Sequence, residues 1–350
     1  MNAPLHDLHV AAGARFAEGE PSLPAVYGQD AAEGLAREYA AAREAAAVVD
    51  LAERGVLEAT GPQRQKFLQG MLSNDVAGRQ PGQGCAAVLM TTKGHIQALM
   101  RVLVTKDAVL LEMPADRLAP VESTLVHYRV AAPVRFKAKP TAVLGLVGPD
   151  GPALLRGLGV DLPELAPEAH VSATIGGHEV LVARAGDLPR AGLVVHAAPE
   201  AAAAVWTALS GAGARPLGRR ALDALRIEAG RPWYGPDVSE DNLLHETGLV
   251  NETHSFTKGC YIGQEVIARL DARGGNVNKA LRGLRLGAPA GAGASVAADG
   301  KEIGRVTTPA VSPRNGPIAL AYVQRSHFAP GTAVEVDGTP AQVVALPFDR

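Results

Sequence analysis

Apolar positions divide the chain into two regimes. From Asp30 to about residue 275, runs with period two alternate with runs of period 3.6, and beyond Lys279 only period two remains. An alanine-rich stretch over 30–49 puts Leu35, Tyr39, Ala42 and Ala46 on one face and predicts a helix closed by Asp50-Leu51. A strand over 56–60 follows. Gly61-Pro62 then opens a helix whose stripe is Phe67, Leu68, Met71 and Leu72, with Pro where its missing N–H costs nothing. Strands are predicted over 85–91, 96–105 and 108–113, with Thr92-Lys93-Gly94-His95 as a hairpin turn. A helix over 114–127, strands over 134–139 and 143–147, and a helix from Gly148-Pro149 to Leu158 come next. Two β-patterned runs flank Gly176-Gly177, a two-residue hairpin signal. A strand over 193–196 and a helix over 199–209 lead to a helix over 217–230 with Leu222, Leu225 and Ile227 inward. Gly230 then Pro232 stop it. The stretch 233–256 is long, polar and aperiodic, as expected of a loop that lines a site.

This order of elements predicts an α+β fold rather than a doubly wound sheet. Residues 1–29 are expected to form a loose arm, 30–275 an α+β core and 276–350 a small all-β sandwich or barrel of six short strands.

Charge changes the picture by exclusion. Lys and Arg total 34 against 36 Asp and Glu, so nothing global attracts nucleic acid or an anionic membrane. Cys85 and Cys260 are the two cysteines, too few for a disulfide scaffold or the four thiolates of an iron–sulfur cluster. Residues 1–24 lack the basic-then-apolar pattern of a secretion signal, and no run is apolar enough to span a membrane. The expectation is a reducing, cytoplasmic setting.

Candidate chemistry centres on Thr257-Lys258-Gly259-Cys260-Tyr261-Ile262-Gly263-Gln264-Glu265, where a Gly-bearing turn feeds a helix start. Gly259 and Gly263 are suited to φ > 0 or to a close backbone approach. Lys258 and the helix N-terminus both favour a thiolate at Cys260, whereas the alternative is a buried small hydrophobe. Glu228 ends the 217–230 helix, where the dipole disfavours a carboxylate. It either accepts hydrogen bonds from a ligand or pairs on the surface with Arg226 or Arg231. His245, His254 and Cys260 fit no standard zinc spacing. Gly82-x-Gly84 and Gly274-Gly275 lack the context of a phosphate loop. Cys85, in an apolar strand, reads as core.

Lys258 to Glu265 closely resembles the K-G-C-x-x-G-Q-E signature of the YgfZ family, within the GcvT-like folate-binding superfamily. Leu225-Arg226-Ile227-Glu228-Ala229-Gly230 resembles the superfamily's L-R-x-E-A-G segment. Phe67-Leu68-Gln69-Gly70 with Ser73-Asn74-Asp75-Val76, and Gly304 to Thr308 with Ile318 to Val323, resemble its early and C-terminal patterns. The resemblance implies two intertwined α+β subdomains, one ferredoxin-like, and a C-terminal β-barrel around a folate-sized opening. It implies a tetrahydrofolate-dependent accessory role in the maturation or repair of iron–sulfur enzymes, including enzymes that modify tRNA. It implies Glu228 at the folate pterin, with Arg231, Gly259, Tyr261, Gly263 and Gln264 around the cofactor. Cys260 and Lys258 would be the functional pair, and Cys260 at most a transient, shared ligand of an iron–sulfur cluster, with no resident metal. The related aminomethyltransferases carry an acidic pair in the hairpin where this chain has Ala98 and Leu99, which implies that aminomethyl transfer is lost. The alternative is a folate-dependent one-carbon transferase or demethylase. Folate and iron–sulfur client proteins are the expected partners, without direct contact to nucleic acid or membrane.

Overall fold

The computed structural model describes residues 5–17, 20–190 and 192–348. Asp30 starts the first long helix, Ala31–Glu44: its Oδ1 accepts from the amides of Ala32 and Glu33, both at 2.8 Å. That helix buries Tyr39 and Ala42 and delivers the chain into Ala47–Asp50, a strand buried along its whole length. The strand sits inside a six-stranded sheet ordered His170–Ile175, His178–Arg184, Leu193–Ala197, Ala142–Val147, Ala47–Asp50, Arg215–Pro216. Only its pairing with Arg215–Pro216 is parallel.

After three residues the chain enters a second sheet, Gly84–Met90, Ile96–Val104, Ala108–Pro114, Arg54–Thr60, Arg135–Lys139, antiparallel throughout. It returns to the first sheet at Ala142. The two α+β units are therefore intertwined, and an apolar layer with Val56, Leu110, Val143, Val194 and Leu222 lies between them. Six further strands over 279–344 close an antiparallel barrel around Leu284, Val296, Ala319, Ala321 and Val343.

The α+β core and all-β tail agree with the sequence pattern. Gly176 and Gly177 take φ of +60° and +81° and join two registered strands, as a two-residue hairpin turn requires. Four expectations differ. The helix predicted over 30–49 ends at Glu44, and Ala47–Asp50 is a strand, because its apolar run is claimed by the sheet. Residues 5–17 and 20–27 are no loose arm: they form the helix His6–Ala11 and the strands Ala14–Ala17 and Glu20–Tyr27, paired antiparallel. Leu5 joins the core, and buried His9 lies 3.0 Å from both Asp50 Oδ2 and the Tyr27 hydroxyl. Those partners are distant in sequence, so local pattern does not reveal them. The arm's residues 1–4, 18 and 19 lie outside the described residues. The helix after Gly61-Pro62 spans only Arg64–Gln69, with Met71 and Leu72 buried beyond its end. The 233–256 stretch carries two one-turn helices, Leu244–Thr247 and Val250–Thr253.

Candidate functional site

A cavity of about 460 Å³ opens where the five-stranded sheet meets the loop after helix Arg219–Glu228. Alternation along Ile96–Val104 buries Ala98 in the sheet's core and leaves Leu99 on the cavity wall. Met100, Trp233, Tyr234 and Leu249 supply the larger apolar side chains of the lining.

The floor is charged. Arg101 Nε donates to Glu168 Oε2 and Nη1 to Glu112 Oε2, each at 2.5 Å, and Nη2 bonds Asp187. Arg54 bonds the other oxygens of Glu112, at 2.8 Å, and Asp187. His196 Nε2 is 2.6 Å from Glu112 Oε2, and the Gly186 amide donates to Glu168 Oε1 at 2.9 Å. Burial drives Glu112 upward, but Arg101, His196 and Arg54 outweigh it and hold the carboxyl well below its usual range. Burial likewise disfavours charge on Arg101, and Asp187, Glu112 and Glu168 reverse that, raising its pKa well above normal. The arginines hold Glu112 and Asp187 below the usual carboxylate range, whereas burial raises Glu168 above it despite Arg101.

The indole of Trp233 packs among three guanidinium groups, Arg54 at 5.0 Å, Arg219 at 4.9 Å and Arg226 at 5.0 Å. Buried Arg226 bonds Asp223 at 2.6 Å, Asp237 at 2.5 Å and Thr308 Oγ1 of the barrel at 3.1 Å. Asp237 also accepts the Trp233 amide at 2.9 Å, so this arginine fixes the loop that carries the indole. Arg231 bonds both Glu252 oxygens at 2.6 Å, partly exposed on the cavity wall.

Glu228 faces away from this cavity. It is buried and accepts from the Tyr39 hydroxyl at 2.8 Å, Asn315 Nδ2 at 3.1 Å, Arg43 at 3.4 Å and the Ser312 hydroxyl. The expected surface pairing with Arg226 or Arg231 is corrected, and Glu228 is not among the residues that line this cavity. The misfit at the helix end is resolved internally, by helix Ala31–Glu44 and the barrel.

Lys258 also differs from expectation. Its ammonium donates to the carbonyls of Gln69, Leu72 and Asn74 at 2.7, 2.5 and 2.9 Å and lies 4.9 Å from the centre of the Tyr261 ring. Three donors meet three carbonyl acceptors, so the ammonium is committed there rather than to Cys260. Burial pushes its pKa down to about 8. Cys260 is exposed. Gly263, at φ +81°, starts helix Gln264–Asp271, and a Cβ there would lie 2.7 Å from the Thr91 carbonyl. Gly259 has no such need: its φ is not left-handed, and a Cβ would meet nothing within 4 Å. Tyr261 is buried, and its amide donates to Gln264 Oε1 at 3.3 Å. The segment thus docks on the hairpin tip at 91–95. Of the residues expected around the cofactor, Arg231 lines the cavity, whereas Glu228, Gly259, Tyr261, Gly263 and Gln264 do not.

Cys85 is buried, with its thiol pushed up to about 12 by burial. Among the described residues no group of three or more His, Cys, Asp or Glu could hold a metal ion, and no helix is long and apolar enough to cross a membrane. Sequence reasoning missed Arg54, Arg101, Asp187 and Trp233. The available signal was Arg101, a charge inside the apolar run 96–104.

The GCVT N-terminal domain matches residues 5–253, and the glycine cleavage T-protein C-terminal barrel domain matches 279–349. The chain belongs to the glycine cleavage T-protein family. It is 33% identical to an aminomethyltransferase of Saccharopolyspora erythraea, over 99% of this chain and 97% of the relative. It is 31% identical to that of Streptomyces coelicolor, over 93% and 91%. A putative chloroplastic transferase of Arabidopsis thaliana shares 30% over 83% of this chain and 68% of its own. The fold matches the crystal structure of glycine cleavage system aminomethyltransferase T from Bartonella henselae with TM-score 0.89 at 24% identity, over 99% and 98% of the two chains.

Proposed function

We propose that this protein binds tetrahydrofolate in the cavity beside Trp233 and acts in folate-dependent one-carbon chemistry. The supporting observation is the cavity itself, an apolar slot walled by Leu99, Trp233 and Tyr234 over a fully paired ionic floor. Its volume suits a small heterocyclic ligand. Proteins of this family use tetrahydrofolate as a substrate, and full-length relatives carry the name aminomethyltransferase. In this reading a flat ring fills the apolar slot, and Arg231 meets the carboxylates of the glutamate tail. The floor keeps the slot open and rigid, because Arg101 and Arg54 hold Glu112 and Asp187 in place.

A second reading is favoured by Leu99. An isobutyl group on the cavity wall cannot move a proton or stabilise an iminium where the aminomethyltransferases carry an acidic pair. With exposed Cys260, that supports a folate-binding accessory protein for iron–sulfur enzymes instead. Calorimetry with tetrahydrofolate tests the binding common to both, and absence of binding removes both. Turnover with lipoyl carrier protein and tetrahydrofolate selects the first. No turnover, with loss of cellular iron–sulfur enzyme activity in Cys260→Ser, selects the second.

A further inference from the structure

We propose that Glu53 selects the ring of the bound folate, by accepting the 2-amino and N3–H donors of a 2-amino-4-oxo heterocycle on its unbonded carboxylate oxygen. The inference rests on the folate reading above. Glu53 lies in the crossover between the two sheets and is one of the residues lining the cavity, next to Arg54. Its Oε1 accepts from Arg219 Nη1 at 2.5 Å. Its Oε2 is buried and accepts no hydrogen bond. A carboxylate oxygen in that state retains two lone-pair sites, and leaving them empty away from water is costly.

The other carboxylates around the cavity are accounted for. Glu168 is bonded by Arg101 and the Gly186 amide, Asp187 by Arg101 and Arg54, and Glu252 by Arg231 through both oxygens. Asp116 is exposed and paired with Arg117. Among the described residues, Glu53 Oε2 is the one buried carboxylate oxygen without a partner. Its place in the cavity fits an aromatic ligand. Arg219, which holds Oε1, also stacks on Trp233 at 4.9 Å and lies 3.5 Å from Asp223. Carboxylate and indole are thus tied to one guanidinium at one end of the slot. A ring packed beside the indole would bring its donor edge to Glu53. Glu228 cannot take this role where it stands, because its oxygens are already bonded by Tyr39, Ser312 and Asn315.

The test reads quenching of Trp233 fluorescence in a Trp206→Phe background. Trp206 is the other tryptophan and lies against His9, outside the cavity lining. Glu53→Gln keeps a carbonyl oxygen for Arg219 and should weaken tetrahydrofolate binding about 10- to 100-fold, the loss expected for a charged hydrogen bond. The 2-desamino-2-methyl analogue should bind the Glu53 protein about tenfold more weakly than tetrahydrofolate does, and the Glu53→Gln protein no more weakly. Equal affinity of the Glu53 protein for the two ligands overturns the proposal, whatever the variant's folding. Undiminished binding by Glu53→Gln overturns it as well. In both cases the folate reading stands. If the Glu53 protein binds no reduced folate, the folate reading falls and this inference falls with it.

Discussion

Arg101 and Lys258 are both cations withdrawn from water, and the protein treats them in opposite ways. Arg101 meets three carboxylates, and its pKa rises. Lys258 meets three neutral carbonyls, and burial lowers its pKa to about 8. Formal charges repay the desolvation of a buried ion, whereas peptide dipoles leave part of it standing. The side chains suit these tasks. A planar guanidinium serves several carboxylates in fixed directions, and a compact ammonium fits the carbonyls beyond a helix's last turn. At the cavity floor the Arg101–Glu112 pair is therefore held ionised. The Lys258 cradle is a clamp that joins the Cys260 segment to the chain after helix Arg64–Gln69.

Removing the guanidinium should have the largest effect. Arg101→Met leaves Glu112, Glu168 and Asp187 facing one another with Arg54 as the one arginine among them and His196 beside Glu112. Deleting one member of a buried ion pair typically costs about 3–5 kcal/mol. Denaturant unfolding near neutral pH should show a loss of that size. The deficit should shrink in acid, where the stranded carboxylates take up protons. A loss under about 1 kcal/mol would mean that water relaxes the floor.

Glu38 sharpens the comparison with the sign reversed. This buried carboxylate is bonded by the amides of Tyr27 and Gly218, at 2.5 and 2.7 Å. Burial raises its pKa from 4.5 to about 7, against the pull of those two amides. Between pH 4.5 and about 7 the folded chain holds a proton that the unfolded chain has released. Its contribution is therefore complete below pH 4.5 and lost as pH rises to about 7. The fall is at most about 3 kcal/mol. Glu38→Gln should flatten that part of a stability–pH curve, and an unchanged slope would show that Glu38 is ionised throughout.

The same contrast explains what was legible in the sequence. The α+β order, the hairpin at Gly176-Gly177 and the barrel strands followed from periodicity and turn residues, which act locally. The resemblance singles out Ala98 and Leu99, and alternation along the strand decides that Leu99 is the one on the cavity wall. Long-range polar partners were not legible. Nothing near Glu228 in sequence announces Tyr39 or Ser312, and nothing near Lys258 announces the carbonyls of Gln69 and Asn74. Arg54 and Asp187 meet at Arg101 only because the chain crosses between two sheets at residues 51–53 and returns at Ala142. Hydrophobic period sets the framework, and tertiary closure decides which charges share a wall.

The smallest expected effects lie at Cys260. Lys258→Met removes the donor from three carbonyls and should cost about 2 kcal/mol, because water can replace only part of that bonding around a half-buried side chain. It should also remove a rise in stability between about pH 8 and 10.5, where the unfolded chain holds a lysine proton that the native state has released. Its effect on the thiol should nevertheless be slight, since the ammonium points at carbonyls. Iodoacetamide should alkylate exposed Cys260 in native protein at nearly the same rate with Lys or Met at 258. Cys85, buried and with its thiol raised to about 12, should react only on unfolding. Mass spectrometry of timed samples separates the two sites. A several-fold slowing at Cys260 in Lys258→Met, with the fold intact by circular dichroism, would show that the ammonium leaves its cradle to serve the thiol. The contrast with Arg101 would then be between a fixed cation and a mobile one.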